Sequence, residues 1–191
     1  MKKGAIQPLS AVMITLIMIG IIGSVYFWGV PLINKRQDIT TLRNAERFMR
    51  GLDTSIKNVA NQGGRDSISM NVPGIIEFDG SEIRLRLATS GTIYATGGML
   101  PLNQYGCSDS ERALGTDSSE IFCVQSNDLG GVFDTTYFLK YVPLKDAVSI
   151  YIIDFEGSSQ IGAENDNIIV ENDGTVQNGK NFVTKIKVTI S

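Results

Sequence analysis

The chain has 191 residues with 17 basic and 20 acidic side chains, two cysteines and no histidine. Without histidine there is no Ser-His-Asp triad, no Cys-His pair and no imidazole-bound metal, and two cysteines alone do not make a zinc site. The net charge of −3 conceals a split. Residues 1–65 carry nine basic and three acidic side chains, and residues 66–191 carry eight and 17, so the second part is a poor match for nucleic-acid phosphates.

In chain order, Lys2 and Lys3 precede 31 uncharged residues, 4–34, and the next charge is Lys35. A helix over residues 8–31 would be about 35 Å long, enough to cross a hydrocarbon core of about 30 Å. The run is longer than the apolar core of a secretory signal peptide, about 7–15 residues, and Val30-Pro31-Leu32-Ile33 is a poor site for the peptidase that removes one. Pro8 falls near the helix start, where a missing N–H costs nothing. Gly20, Gly23 and Ser24 are small residues spaced to let helices approach closely.

The short basic leader Met1-Lys2-Lys3-Gly4, followed at once by this apolar block, resembles the type IV pilin superfamily, its archaeal branch more than its bacterial one. The resemblance covers residues 1 to about 33 and, in layout, the helix beyond. It implies a class III signal peptide cut by a prepilin peptidase between Gly4 and Ala5. The apolar helix is then retained as the core of a cell-surface filament. One departure is that bacterial pilins usually carry a glutamate five residues after the cut, where this chain has Leu9. Pairing of that glutamate with a neighbour's amino terminus therefore cannot be carried over.

From Ile39 the apolar residues fall at Ile39, Leu42, Ala45, Met49, Leu52, Ile56 and Val59, steps of three and four that mark one helical face. Gly63 and Gly64 supply the exit. The spacing predicts a second, amphipathic helix nearly continuous with the first, bent or interrupted at Gly29-Val30-Pro31, with Asp38 or Thr40 as a fresh start where it breaks. The basic residues along it could face anionic headgroups, acidic heads of neighbouring copies, or water.

Beyond Asp66 the period becomes two. Residues 67–78 read as a strand kinked at Pro73-Gly74, and Asp79-Gly80 turns the chain into the alternating run 82–87. Further strands are expected at 92–95, 121–125, 135–143, 147–155, 167–171 and 182–190, with a turn at Asn172-Asp173-Gly174. Such spacing predicts an antiparallel β-sheet or β-sandwich, making the whole an α+β chain. Its parts are a leader (1–4), a transmembrane or filament-core helix (5–33), an amphipathic helix (34–64) and a β-rich head (65–191).

Cys107 and Cys123 flank a Ser/Asp/Gly/Thr-rich stretch that cannot bury enough apolar surface to hold itself. A disulfide there would contribute about 3 kcal/mol by loop closure. It would also place the head in an oxidising, extracytoplasmic space. The flanking charges, counted alone, point the other way, but large domains translocate regardless of charge. Asp154 and Glu156 read as a solvated strand end rather than an acid–base pair. Glu164, Asp166, Glu171 and Asp173 lack the ligand register of a calcium loop.

No catalytic residue, metal site, cofactor or small-molecule substrate is evident. The expected partners are the membrane, the peptidase and other pilin-like subunits, and nucleic acid is not among them. The alternative is a single-pass surface anchor or minor pilin whose β head is an interaction module, with Tyr94, Tyr105 and Phe122 around the disulfide as contact candidates. A third reading, an ectoenzyme, has no motif to support it.

Overall fold

A computed structural model describes the backbone of residues 6–191 and the side chains from residue 11 onward. The expected cut between Gly4 and Ala5 lies outside the described residues. Helix α1 (Ile6–Gln62) is a single element of 57 residues that carries Pro31 inside it. No break occurs at Gly29-Val30-Pro31, and no new helix starts at Asp38 or Thr40. Proline removes one amide donor from the ladder, and the long helical flanks on either side carry the structure through that loss. Thr40 behaves as a mid-helix residue, its Oγ1 donating to Arg36 O at 2.9 Å. The helix stops where expected: Gly63 adopts φ +76° and its N–H bonds Val59 O at 2.9 Å.

The head consists of two six-stranded sheets, with strands numbered in chain order. One sheet runs β1 (Arg65–Ser69), β11 (Asn167–Asn178), β12 (Asn181–Ile190), β9 (Ile150–Glu156), β8 (Leu144–Lys145), β5 (Arg112–Ala113). The other runs β10 (Gln160–Ala163), β2 (Ile75–Phe78), β3 (Glu82–Thr89), β7 (Phe133–Tyr141), β6 (Glu120–Asp128), β4 (Met99–Pro101). The architecture is α+β, as the pattern predicted.

The helix stripe Leu42, Ala45, Met49, Leu52, Ile56 and Val59 is buried, with Ile39 only half-buried at the open end. It packs in one core with Ile76, Phe78, Leu85, Leu139, Val170 and Ile186 from both sheets. Burying a side chain of this size contributes about 1.5–3 kcal/mol before entropy is counted.

Several expectations are corrected. The sheets are not purely antiparallel: β9 pairs with β12, and β5 with β8, in parallel. The single kinked strand over 67–78 is two strands in different sheets. Pro73 cannot donate to a ladder, and Gly74 comes so close to β3 that an added Cβ would sit 2.6 Å from Arg86 O. Residues 92–95 form no strand; they wrap toward α1, where Tyr94 finds its partners, and β4 follows at Met99.

Asn172-Asp173-Gly174 is not a turn. β11 runs through it with a register shift, and the chain reverses at Gly179-Lys180, between the paired residues Asn178 and Asn181. The bulge serves the helix instead. Asn172 Nδ2 donates to Val59 O at 2.9 Å, a carbonyl that also accepts from Gly63 N, and Asn172 N donates to Gly64 O at 2.9 Å just past the helix end.

Candidate functional site

From residue 11 to residue 29 the described side chains of the helix have no cover from their own chain, and only at Val30 and Pro31 does a hollow shared with Phe133 begin. Every large apolar side chain described between Val12 and Ile33 is exposed, from Val30 at 38% to Trp28 at 86%. The segment is long and apolar enough to cross a membrane. Its hydroxyls need no outside partner: Thr15 Oγ1 donates to Ala11 O and Ser24 Oγ to Gly20 O, each at 2.8 Å. A Cβ on Gly20 or Gly23 would meet nothing within 4 Å, so packing inside this chain does not account for either glycine. Tyr26, Phe27 and Trp28 gather near the head-proximal end of the apolar segment, and aromatic rings of this kind favour a membrane–water interface.

Above residue 38 the helix and head are joined by polar contacts that the sequence did not announce. Tyr137 of β7 is fully buried, and its Oη donates to Leu42 O at 2.8 Å. Tyr94 Oη lies 3.0 Å from Tyr137 Oη and 3.2 Å from Glu46 Oε2. Burial pushes the Tyr94 phenol up to about 12, and burial together with the Tyr94 hydroxyl pushes Tyr137 up as well. Both therefore stay neutral and act as hydrogen-bonding pins.

Farther along, Lys57 Nζ sits 2.9 Å from Asp53 Oδ2 and 2.6 Å from Glu120 Oε2, and Tyr141 Oη donates to Asp53 Oδ1 at 2.8 Å. Burial raises Asp53 despite these partners. Burial pulls Lys57 down, but its bonds to Glu120 and Asp53 outweigh that and hold it raised. Acid and base are committed to each other here.

The outward side of this half carries Arg36, Arg43 and Arg47. Arg47 Nη1 donates to Asn44 Oδ1 at 2.9 Å, and among the described residues no carboxylate pairs with any of the three arginines.

Cys107 and Cys123 form the disulfide that their spacing suggested. It closes a loop organised around Arg112, a residue that sequence reasoning passed over. The Arg112 side chain is buried: its Nη1 donates to Ser118 O and Glu120 O at 2.7 Å each, and Nη2 lies 3.1 Å from Asp109. Its guanidinium stacks 4.0 Å from the Tyr105 ring centroid. A lone arginine in an otherwise small, polar loop was the available signal.

The three aromatics expected to offer a contact surface are used internally. Tyr105 packs on Arg112, Tyr94 joins the helix, and Phe122 is buried beneath Arg50 and stacked on Tyr137. Glu156 is paired with Lys185, and Asp154 stands opposite the same lysine. Glu164, Asp166, Glu171 and Asp173 do not converge: among the described residues no three His, Cys, Asp or Glu side chains cluster as a metal would need. A hollow of about 290 Å³ near the end of α1 has Lys57 and Asp117 on its wall, with Lys57 already bound to Asp53 and Glu120.

No known protein family matches this chain, and no curated protein or solved structure does either.

Proposed function

We propose that this chain is a type IV pilin-like subunit of a cell-surface filament. A prepilin peptidase cuts it after Gly4, it is held in the membrane by the apolar half of α1, and it assembles by packing that half against other copies, with the β head extracytoplasmic. The observation that carries the reading is the contrast within α1. From residue 11 to residue 29 the apolar half has no intrachain cover and two glycines that its own fold does not use, while the amphipathic half is committed to the head. Close approach at Gly20, Gly23 and Ser24 would supply packing gained on leaving lipid, where burial from water is no longer the driving term. The disulfide fits an oxidising compartment.

Intact mass and N-terminal sequencing of the protein from its own membranes test this. A chain beginning at Ala5 is expected, and Gly4→Trp should leave the leader uncut and abolish filaments. A wild-type chain that keeps Met1 or Lys2 ahead of Gly4 would replace this reading with a plain single-span anchor bearing an interaction head.

A further inference from the structure

We propose that the β6–β7 hairpin tip, Leu129-Gly130-Gly131-Val132, is a second membrane contact: it dips into the bilayer interface beside the point where α1 emerges. This rests only on α1 spanning a bilayer, which both the filament subunit and the plain anchor require.

The height of the tip follows from contacts along α1. Tyr141 bonds Asp53, Tyr137 bonds Leu42, and Phe133 shares a hollow with Val30, Pro31 and Asn34, so β7 runs down the helix toward the membrane. Four strand residues from Tyr137 to Phe133 cover about 13 Å, which α1 covers in about nine residues, reaching the level of Ile33. The two descents agree. The tip lies one or two residues beyond Phe133, about 3–6 Å further, at the height of the last turn of the apolar span, just above that of Trp28.

The tip is also built for that depth. Leu129 is 66% exposed and Val132 48%, the two side chains standing at the rim of a shallow hollow shared with Ile75 and Leu87. Three of its four amides are satisfied internally: Leu129 N donates to Val132 O at 2.8 Å, and Gly130 N and Gly131 N donate to Asp128 Oδ1 at 2.9 and 3.2 Å. A backbone entering lipid needs this, since no water is there to bond it. Lys35 and Arg36 stand one turn above Pro31, about 6 Å higher, at the level of lipid phosphates. The occupant that fits an apolar tip beneath a basic collar is a phospholipid surface.

Tryptophan quenching in liposomes containing brominated phospholipids tests this on the full chain. Trp28 is the only tryptophan, so the wild-type protein reports on α1 itself. In a Trp28→Phe background, Leu129→Trp is expected to be quenched about as strongly as Trp28, and more by bromines near the headgroup than by bromines near the acyl ends. Val132→Trp serves where Leu129→Trp does not fold. Val148→Trp is the control. Val148 is 68% exposed, and neighbouring Tyr151 shares a hollow with Ala60 and Asn61, about 45 Å up the helix from Pro31. It should not be quenched.

Quenching of Trp28 without quenching at position 129 overturns the tip contact alone. Red-shifted emission would then place the tip in water, and blue-shifted emission would place it against another copy. An unquenched Trp28 overturns the membrane span itself.

Discussion

Between residues 12 and 33 the side chains of α1 are exposed all round the helix, whereas from Leu42 to Val59 every third or fourth one is buried against the head. The backbone is the same in both stretches and runs unbroken through Pro31. What differs is the solvent each stretch is written for. The upper half alternates apolar and charged residues at helical spacing, so it can be satisfied within one chain. The lower half has no polar face to turn outward and must find lipid or another helix. The glycines report the same division. Gly63 has a conformational reason inside the fold, while Gly20 and Gly23 have none.

The largest effect that separates the two halves should come from Gly20→Leu combined with Gly23→Leu. Filaments counted by electron microscopy should disappear, while the thermal unfolding of the head, followed by near-ultraviolet circular dichroism in detergent, stays at its wild-type temperature. A shift in that temperature would mean that the lower half is coupled to the head after all.

Leu52→Ala acts on the other half. Leu52 is fully buried in the core, and its truncation should cost about 2–5 kcal/mol of head stability by denaturant titration. The chain should still be processed and inserted into membranes. Loss of insertion would erase the distinction between the halves.

The smallest effect is a pH dependence at the Tyr137 pin. The folded pKa of Tyr137 is raised above its ordinary value of 10.0, so the pin's contribution is fully present below pH 10. It is lost as pH climbs from there toward the folded value, at about 1.4 kcal/mol per pH unit for this one group. Tyr137→Phe should cost about 0.5–1.5 kcal/mol at neutral pH and flatten the alkaline decline measured by urea unfolding at several pH values. An unchanged slope would place the alkaline sensitivity elsewhere.

The parts of this fold that could be read in the sequence are those where periodicity speaks locally. The spacing from Leu42 to Val59 gave the buried stripe residue by residue. The alternation of Ile83, Leu85 and Leu87 gave the inward face of β3. Asp79-Gly80 turned as expected, with Asp79 Oδ1 accepting from Ser81 N and Glu82 N.

The parts that could not be read depend on distant partners. Asn172-Asp173-Gly174 looks like a turn to its neighbours in sequence, yet it is a bulge in β11 from which Asn172 bonds the end of α1. The turn itself is at Gly179-Lys180, where Gly179 at φ +64° supplies the first loop residue of a tight hairpin. Parallel pairing of β9 with β12 has no local signature, and β5 and β8 have two residues each, too few for a period to show. Of the candidate site, composition revealed the apolar span and the cysteine pair. The Arg112 hub, the tyrosine pins and the hairpin tip emerged only once the strands were placed against α1.

The attachment of the head to α1 also has a mechanical consequence. Contacts from Leu42 to Val59 fasten it along about 26 Å of helix. A load fixed over that length to a rod without a hinge shares every displacement of the rod. Raising α1 by one helical pitch, about 5.4 Å, raises the head by the same distance. Turning α1 about its axis swings the outer strands through the same angle on a longer radius. Any force that draws this helix out of lipid is therefore transmitted undiminished to the folded domain.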